Sequence, residues 1–160
     1  MAKKTALYAG TFDPFTLGHQ NILERALCIF DEITVVVAVS PSKNPLFNRE
    51  QRLEMIRDLF SGNSKVKVDS WDGLIVDYAK EKKIQTIVRG LRPTGDFEIE
   101  FQMASMNNKL LPEVETVFLM TGGEHYFVSS SLVKEIYDHG GDITDFVPQA
   151  VLEKMKKNQG

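Results

Sequence analysis

One cysteine, Cys28, stands among 160 residues. No disulfide can form within the chain, and this usage fits a reducing cytosol. Cys28 falls inside a helical pattern, where a small thiol is expected to be buried. Long hydrophobic runs are also missing. None approaches the roughly 20 residues a membrane span needs, and Met1-Ala2-Lys3-Lys4 leads straight into a strand without a signal core. The expectation is a cytoplasmic chain with no membrane partner. Excess positive charge is absent too. Nineteen Lys and Arg face 22 Asp and Glu, a net charge of −3, so composition argues against a nucleic-acid partner and any anion site must be local. There is no internal repeat, low-complexity tract or linker, and the length suits a single domain spanning residues 1–160.

Several familiar motifs are missing as well. Gly10 to Gly18 is not G-x-G-x-x-G, and there is no G-x-x-x-x-G-K-[ST] loop. His19, His125 and His139 show no metal-ligand spacing, and there is no Cys/His cluster for zinc. A Ser/His/acid set can be drawn from Ser130 and His19, but no nucleophile elbow supports it.

What is present alternates strand and helix. Thr5 to Gly10 is a short apolar run ending in glycine, and a turn-rich loop leads to Gly18-His19 at the start of an amphipathic helix reaching about Phe30. Ile33 to Val39 is apolar and β-branched throughout, as in a strand covered on both faces. A Pro-flanked loop, Ser40 to Pro45, precedes a capping box at Asn48 and Gln51 and a helix to about Phe60 burying Leu53, Ile56, Leu59 and Phe60. Val66 to Asp69 is a strand, and Leu74 to Lys82 a helix packed through Leu74 and Tyr78. Thr86 to Gly90 is the fourth strand. Asp96 is expected to cap a long helix to about Leu111, packed through Phe97, Phe101 and Ala104. Thr116 to Met120 is the fifth strand. Ser129 to Ser131 open a helix to about His139, and Pro148 begins the last one. The alternation predicts an α/β fold: a Rossmann-like, doubly wound five-stranded parallel sheet with helices on both faces. Ligands of such sheets bind beyond the carboxyl ends of the strands.

The unusual residues fall on that rim. Thr11 follows the first strand, Lys43 the second, Arg89 and Arg92 the fourth, and the Ser129 helix the fifth. A helix N-terminus leaves backbone N–H groups unpaired and favours an anion, and His19 sits in such a first turn. Each residue also has a bland reading. His19 can cap or pack, Lys43 can be a solvated loop charge, Arg89 can pair with an acid such as Asp96, and Glu100 can lie on a solvated face. Their shared location is what points to a bound polyanion.

Thr16-Leu17-Gly18-His19 resembles the T/H-x-G-H signature of the nucleotidylyltransferase superfamily, and Val128-Ser129-Ser130-Ser131-Leu132-Val133-Lys134 resembles its I-S-S-x-x-x-[RK] signature. With Gly10-Thr11-Phe12-Asp13-Pro14, Ser40-Pro41-Ser42-Lys43, Arg89-Gly90-Leu91-Arg92, Asp96-Phe97-Glu98 and Met106-Asn107, the chain resembles the bacterial phosphopantetheine adenylyltransferases over nearly its whole length. Ala9 stands where that family usually has proline, and residues 122–126 depart from its common pattern. The resemblance implies transfer of the adenylyl group of ATP to 4′-phosphopantetheine, giving dephospho-coenzyme A and pyrophosphate. It implies catalytic roles for His19, Thr11 and Lys43. It implies phosphopantetheine contacts from Thr11, Lys43, Ile75 and Arg89. It assigns ATP to Thr11, Phe12, His19, Gly90, Leu91, Arg92, Glu100, His125, Tyr126, Phe127, Val128, Ser129, Ser130 and Ser131. Mg²⁺ would travel with ATP rather than sit in a protein cage. A homohexamer and coenzyme A as feedback inhibitor are further implications. Three rivals stand on sequence grounds: a nucleotidylyltransferase with another acceptor, a non-catalytic nucleotide-binding or sensor module on the same fold, and, more distantly, a structural scaffold, which would not need converging cations on the ligand rim.

Overall fold

The computed structural model describes residues 3–39, 44–93 and 95–158. Five parallel strands, β1 (Thr5–Gly10), β2 (Glu32–Ala38), β3 (Val66–Trp71), β4 (Thr86–Leu91) and β5 (Glu115–Met120), form one sheet in the order β3-β2-β1-β4-β5. The helices are α1 (Leu17–Ala26), α2 (Arg49–Leu59), α3 (Ile75–Lys82), α4 (Asp96–Leu110), α5 (Ser130–Asp138) and α6 (Gln149–Asn158).

Strand side chains alternate between faces, and β1 divides accordingly. Ala6 and Tyr8 enter the larger core, where α1, α2, α5 and α6 supply Ile22, Leu23, Leu53, Ile56, Val133, Val151 and Leu152. Leu7 and Ala9 enter a smaller core on the opposite face with Tyr78 and Ala79 of α3. Helices thus cover both faces, and β2 is buried from Glu32 to Val37. Each buried aliphatic side chain contributes about 1.5–3 kcal/mol relative to its exposed form, so the sheet centre carries much of the stability.

The predicted cap of α2 is present: Asn48 Oδ1 accepts from the Gln51 N–H at 2.9 Å, and Gln51 Oε1 accepts from the Asn48 N–H at 2.9 Å. Leu53 and Ile56 are buried, while Leu59 and Phe60 are only partly so.

Expectations for three helices need correction. The first helix stops at Ala26 instead of Phe30, and the chain turns. Cys28 is therefore exposed rather than buried. Leu74 is the N-cap of α3 and 58% exposed, outside the packed side assigned to it. The N-cap of α4 is Gly95, in the left-handed region at φ 73°, and Asp96 is the first helical residue. No residue of α4 is buried, and Phe97, Ile99, Phe101, Met103, Met106 and Leu110 are all exposed. The helix turns a stripe of Asp96, Glu100, Ala104 and Asn107 to its own fold, and these are its half-buried positions. Polar contacts, not apolar packing, seat it.

Cys28 should react fully with a thiol-specific chromogenic reagent in the folded protein, at the rate seen after denaturation to within about tenfold. Protection lifted only by denaturant would contradict the exposed turn.

Candidate active site

The site begins where two neighbouring strands part. β1 pairs with β2 as far as Gly10↔Val37, but with β4 only through Leu7↔Ile87 and Tyr8↔Val88. Beyond Tyr8 the strands separate at their carboxyl ends. Strand order reverses there, because β1 has β2 on one side and β4 on the other. A cavity of about 410 Å³ opens at this point, lined by the β1–α1 turn, β4, α4 and the first turn of α5.

Arg89, on β4, bridges the parting. Its Nη1 donates to the Ala9 carbonyl at 2.7 Å, its Nε donates to Glu100 Oε2 at 2.7 Å, and its Nη2 donates to Glu100 Oε1. Burial alone would lower this guanidinium's pKa, but the hydrogen-bonded Glu100 carboxylate outweighs it and the net shift is upward. Arg92 is held by Asp96, with Nε to Oδ2 at 2.7 Å and Nη2 to Oδ1 at 3.0 Å. The bland reading of Arg89, pairing with an acid such as Asp96, holds for the ion pair but with another acid: Glu100, one turn further along α4, reaches β4, and Asp96 serves Arg92 four residues before it. Gly90 sits between the two arginines, and a Cβ there would come within 2.9 Å of Ile22 Cγ1. Only glycine lets α1 lie this close to β4.

The β1–α1 turn is shaped by Phe12. Its φ of 49° lies in the left-handed region, a conformation that costs a non-glycine residue about 1–3 kcal/mol. Its ring compensates by folding back over Gly10, where a Cβ would stand 3.0 Å from Phe12 Cζ, and by packing on Tyr8 and Phe15 with centroids at 5.3 and 5.4 Å. Asp13 and Pro14 follow through a cis peptide bond. The Asp13 carboxylate is buried. It accepts the N–H groups of Leu46 at 2.8 Å and Phe47 at 2.9 Å, and Lys134 Nζ of α5 lies 3.1 Å from it. Arg52 of α2, also buried, donates to the Thr11 carbonyl at 2.7 Å and thereby fixes the backbone at Thr11.

His19 is the third residue of α1 and half of a capping box. Thr16 Oγ1 accepts from the His19 N–H at 3.3 Å, and His19 Nδ1 accepts from the Thr16 N–H at 3.0 Å. Only a donor can stand on a backbone nitrogen, so Nδ1 is the acceptor and the ring proton is on Nε2. The ring is half-buried, with Phe12 and Phe15 centroids at 5.0 and 5.4 Å. Burial, followed by the charges of Arg89 and Arg92, pushes its pKa down from 6.5 to about 3. The imidazole is neutral at physiological pH, and Nε2–H is its remaining donor at the cavity.

At the α5 N-terminus, Ser129 Oγ accepts from the Leu132 N–H at 3.2 Å, and the Ser130 hydroxyl donates to the Pro14 carbonyl at 2.8 Å. These hydroxyls are engaged in holding the fold, and an anion would be met by the first-turn backbone N–H groups other than that of Leu132.

Of the residues singled out in the sequence, Thr11, Phe12, His19, Arg89, Gly90, Arg92, Glu100, Val128, Ser129, Ser130 and Ser131 line the one cavity. His125, Tyr126 and Phe127 lie beside it on the loop before Val128, and Leu91 ends β4, none of them on its lining. Ile75 is not on the cavity's lining; it opens α3 beyond the carboxyl end of β3 and packs against the smaller core. Lys43 lies outside the described residues. Sequence reasoning assigned no role to Asp13, Thr16, Arg52 or Lys134. Lys134 carried a signal, the basic position of the second signature; buried Arg52 carried none, because its use is set by the distant Thr11. The rim is also less cationic than expected, since Arg89 and Arg92 each have a carboxylate partner.

The unfolded chain protonates His19 near pH 6.5, and the folded chain only near 3. The contribution to stability is whole above about pH 6.5 and is lost as pH falls toward about 3. Imidazole nitrogen shifts followed by NMR should keep the Nε2–H signature from about pH 8 down to about pH 5. Titration near the ordinary value would contradict the buried capping geometry.

Residues 7–136 match the cytidylyltransferase-like family. The chain is 51% identical to the phosphopantetheine adenylyltransferase of Heliobacterium modesticaldum over 97% of its own length and 92% of that protein. It is 48% identical to that of Alkaliphilus metalliredigens, covering 96% and 98%. In fold it is similar to the crystal structure of a candidate nicotinate-nucleotide adenylyltransferase from Vibrio parahaemolyticus, with a TM-score of 0.71 at 16% identity, covering 97% of this chain and 99% of that one. The switch-point cavity and full-length likeness agree, and the chain belongs to the phosphopantetheine adenylyltransferase family within the cytidylyltransferase-like group.

Proposed function

We propose that this chain transfers the adenylyl group of ATP to 4′-phosphopantetheine, releasing pyrophosphate and forming dephospho-coenzyme A for coenzyme A biosynthesis. The observation that carries the reading is His19, whose cap leaves a neutral Nε2–H donor at a cavity between β1 and β4. An oxygen of the acceptor phosphate attacks the α-phosphorus. The bond from that phosphorus to the bridging oxygen breaks, and pyrophosphate leaves with the electron pair. The attacking oxygen is already ionised, so no protein nucleophile is needed. Positioning and charge stabilisation supply the catalysis. His19 Nε2–H donates to a non-bridging oxygen of the α-phosphate, with no proton lost from the ring. Thr11 and Lys43 orient and neutralise the reacting phosphates. Arg89 takes the acceptor, steadied by Glu100, and Ile75 lines the pantetheine arm. Gly90, Leu91, Arg92 and the α5 N-terminus hold ATP.

Mg²⁺ would be carried in by ATP rather than held by the chain's own carboxylates. The cavity's carboxylates suit that arrangement, since Asp13 is held by Lys134, Asp96 by Arg92 and Glu100 by Arg89. Coenzyme A contains both halves of the product and fits the same site as a feedback inhibitor. The exposed Cys28 thiol suits a reducing cytoplasm, and no helix among the described residues is long and apolar enough to cross a membrane. The apolar sides of α4 support self-association into a homohexamer, because large exposed side chains in such density mark an interface.

Pyrophosphate release from ATP should require 4′-phosphopantetheine and be absent with nicotinamide mononucleotide or choline phosphate as acceptor. His19→Ala should lower kcat by about 10²–10³-fold with a small change in the KM for ATP; near-normal turnover would remove His19 from the mechanism. Phe101→Glu with Met106→Glu should reduce the particle mass measured by light scattering, and an unchanged mass would place the interface elsewhere.

A further inference from the structure

The loop between β5 and α5 has little regular structure. Its one short element is a 3-10 turn, Gly123–His125. Tyr126 and Phe127 at its apex are about half exposed. An aromatic plane and a row of backbone groups suit a nucleobase, but only if the loop is held still. At its near end the Thr121 N–H still donates to the Leu91 carbonyl of β4 at 2.9 Å, and on the other side the contacts come from α1. Arg25 Nη1 donates to the Met120 carbonyl at 2.9 Å, and Asn21 Oδ1 accepts the Gly122 N–H at 3.1 Å. Residues 21 and 25 are one turn apart and share a helix face. The far end lies along the same helix, since a Cβ on Gly18 would stand 3.5 Å from the carbonyl oxygens of His125 and Val128. His19 is on that helix too. One rigid element therefore presents the phosphate donor and carries the loop.

We propose that Asn21 and Arg25 are positioning residues for nucleobase recognition. They clamp the start of the 121–128 loop to the helix that bears His19, so that base and α-phosphate are registered on a single body. The inference rests on the adenylyltransferase reading given above, with this loop as the base-side wall.

Gly122 provides a discriminating probe. Its φ of −99° is open to alanine, but a Cβ would lie 2.6 Å from Arg25 Nη1. That atom ends a flexible side chain, so Gly122→Ala should leave the backbone intact and displace the guanidinium from its carbonyl. Steady-state kinetics with ATP and GTP would compare Asn21→Ala, Arg25→Ala, Gly122→Ala and the double variant Arg25→Ala/Gly122→Ala. Each single variant should raise the KM for ATP by about three- to tenfold, the scale of one hydrogen bond. The preference for ATP over GTP should fall by a similar factor, with kcat and the KM for phosphopantetheine within about twofold. The double variant should be no worse than Arg25→Ala alone. Unchanged ATP affinity and base preference in the single variants would overturn the clamp, as would additive losses in the double variant. A wild-type protein that releases no pyrophosphate from ATP would overturn the adenylyltransferase reading itself, an outcome distinct from either.

Discussion

The guanidinium of Arg89 ties together elements that would otherwise stand apart. β1 and β4 stop pairing after Tyr8 and Val88, and each strand is left with polar backbone groups at the mouth of a cavity. Arg89 meets the Ala9 carbonyl on one side and the Glu100 carboxylate on the other. A planar fork with five donors can grip the carboxylate bidentately and still reach the carbonyl, a geometry that an ammonium's point charge does not match. The crevice is thereby kept open without leaving an orphaned carbonyl. Helix α4, which buries no side chain of its own, is drawn to the sheet by this pair and by Arg92–Asp96.

His19 shows how one side chain serves both structure and chemistry. The capping reading and the phosphate-facing reading compete when only the sequence is in view. In the folded chain they use different nitrogens of the ring. Nδ1 closes the capping box with Thr16, which fixes the tautomer and directs the remaining proton to Nε2. Burial against Phe12 and Phe15 keeps the ring neutral. The donor is thus preorganised before any substrate arrives, which is the condition under which a hydrogen bond to a developing charge is most effective.

Much of the architecture was legible from the chain. The apolar, β-branched run of β2 announced a strand covered on both faces, and it is buried from Glu32 to Val37. The Asn48–Gln51 box is local chemistry and forms as written. The failures share a cause. Cys28 is expected to be buried because free cysteine usually is and a helical pattern runs through it, yet the helix ends two residues earlier. On α4, Phe97 and Phe101 have the spacing of a buried stripe but point away from their own sheet. Periodicity says which side chains share a face and is silent on what that face meets.

The sequence by itself determined the alternation of strand and helix, the caps of α2 and α5, and the set of residues at the carboxyl ends of the strands. These depend on neighbours within a few positions, and on the rule that parallel strands all present the same end to one rim. Only the tertiary structure decided who pairs with whom: Glu100 with Arg89, Asp96 with Arg92, Asp13 with Lys134, Arg52 with the Thr11 carbonyl, and Arg25 with the end of β5. Most of these partners lie far apart along the chain, and even the nearby Asp96, four residues from Arg92, is by sequence as open to Arg89 as to Arg92. Their pairing follows from where the strands part and how closely the helices approach, through Gly18 and Gly90, and no local pattern encodes that distance.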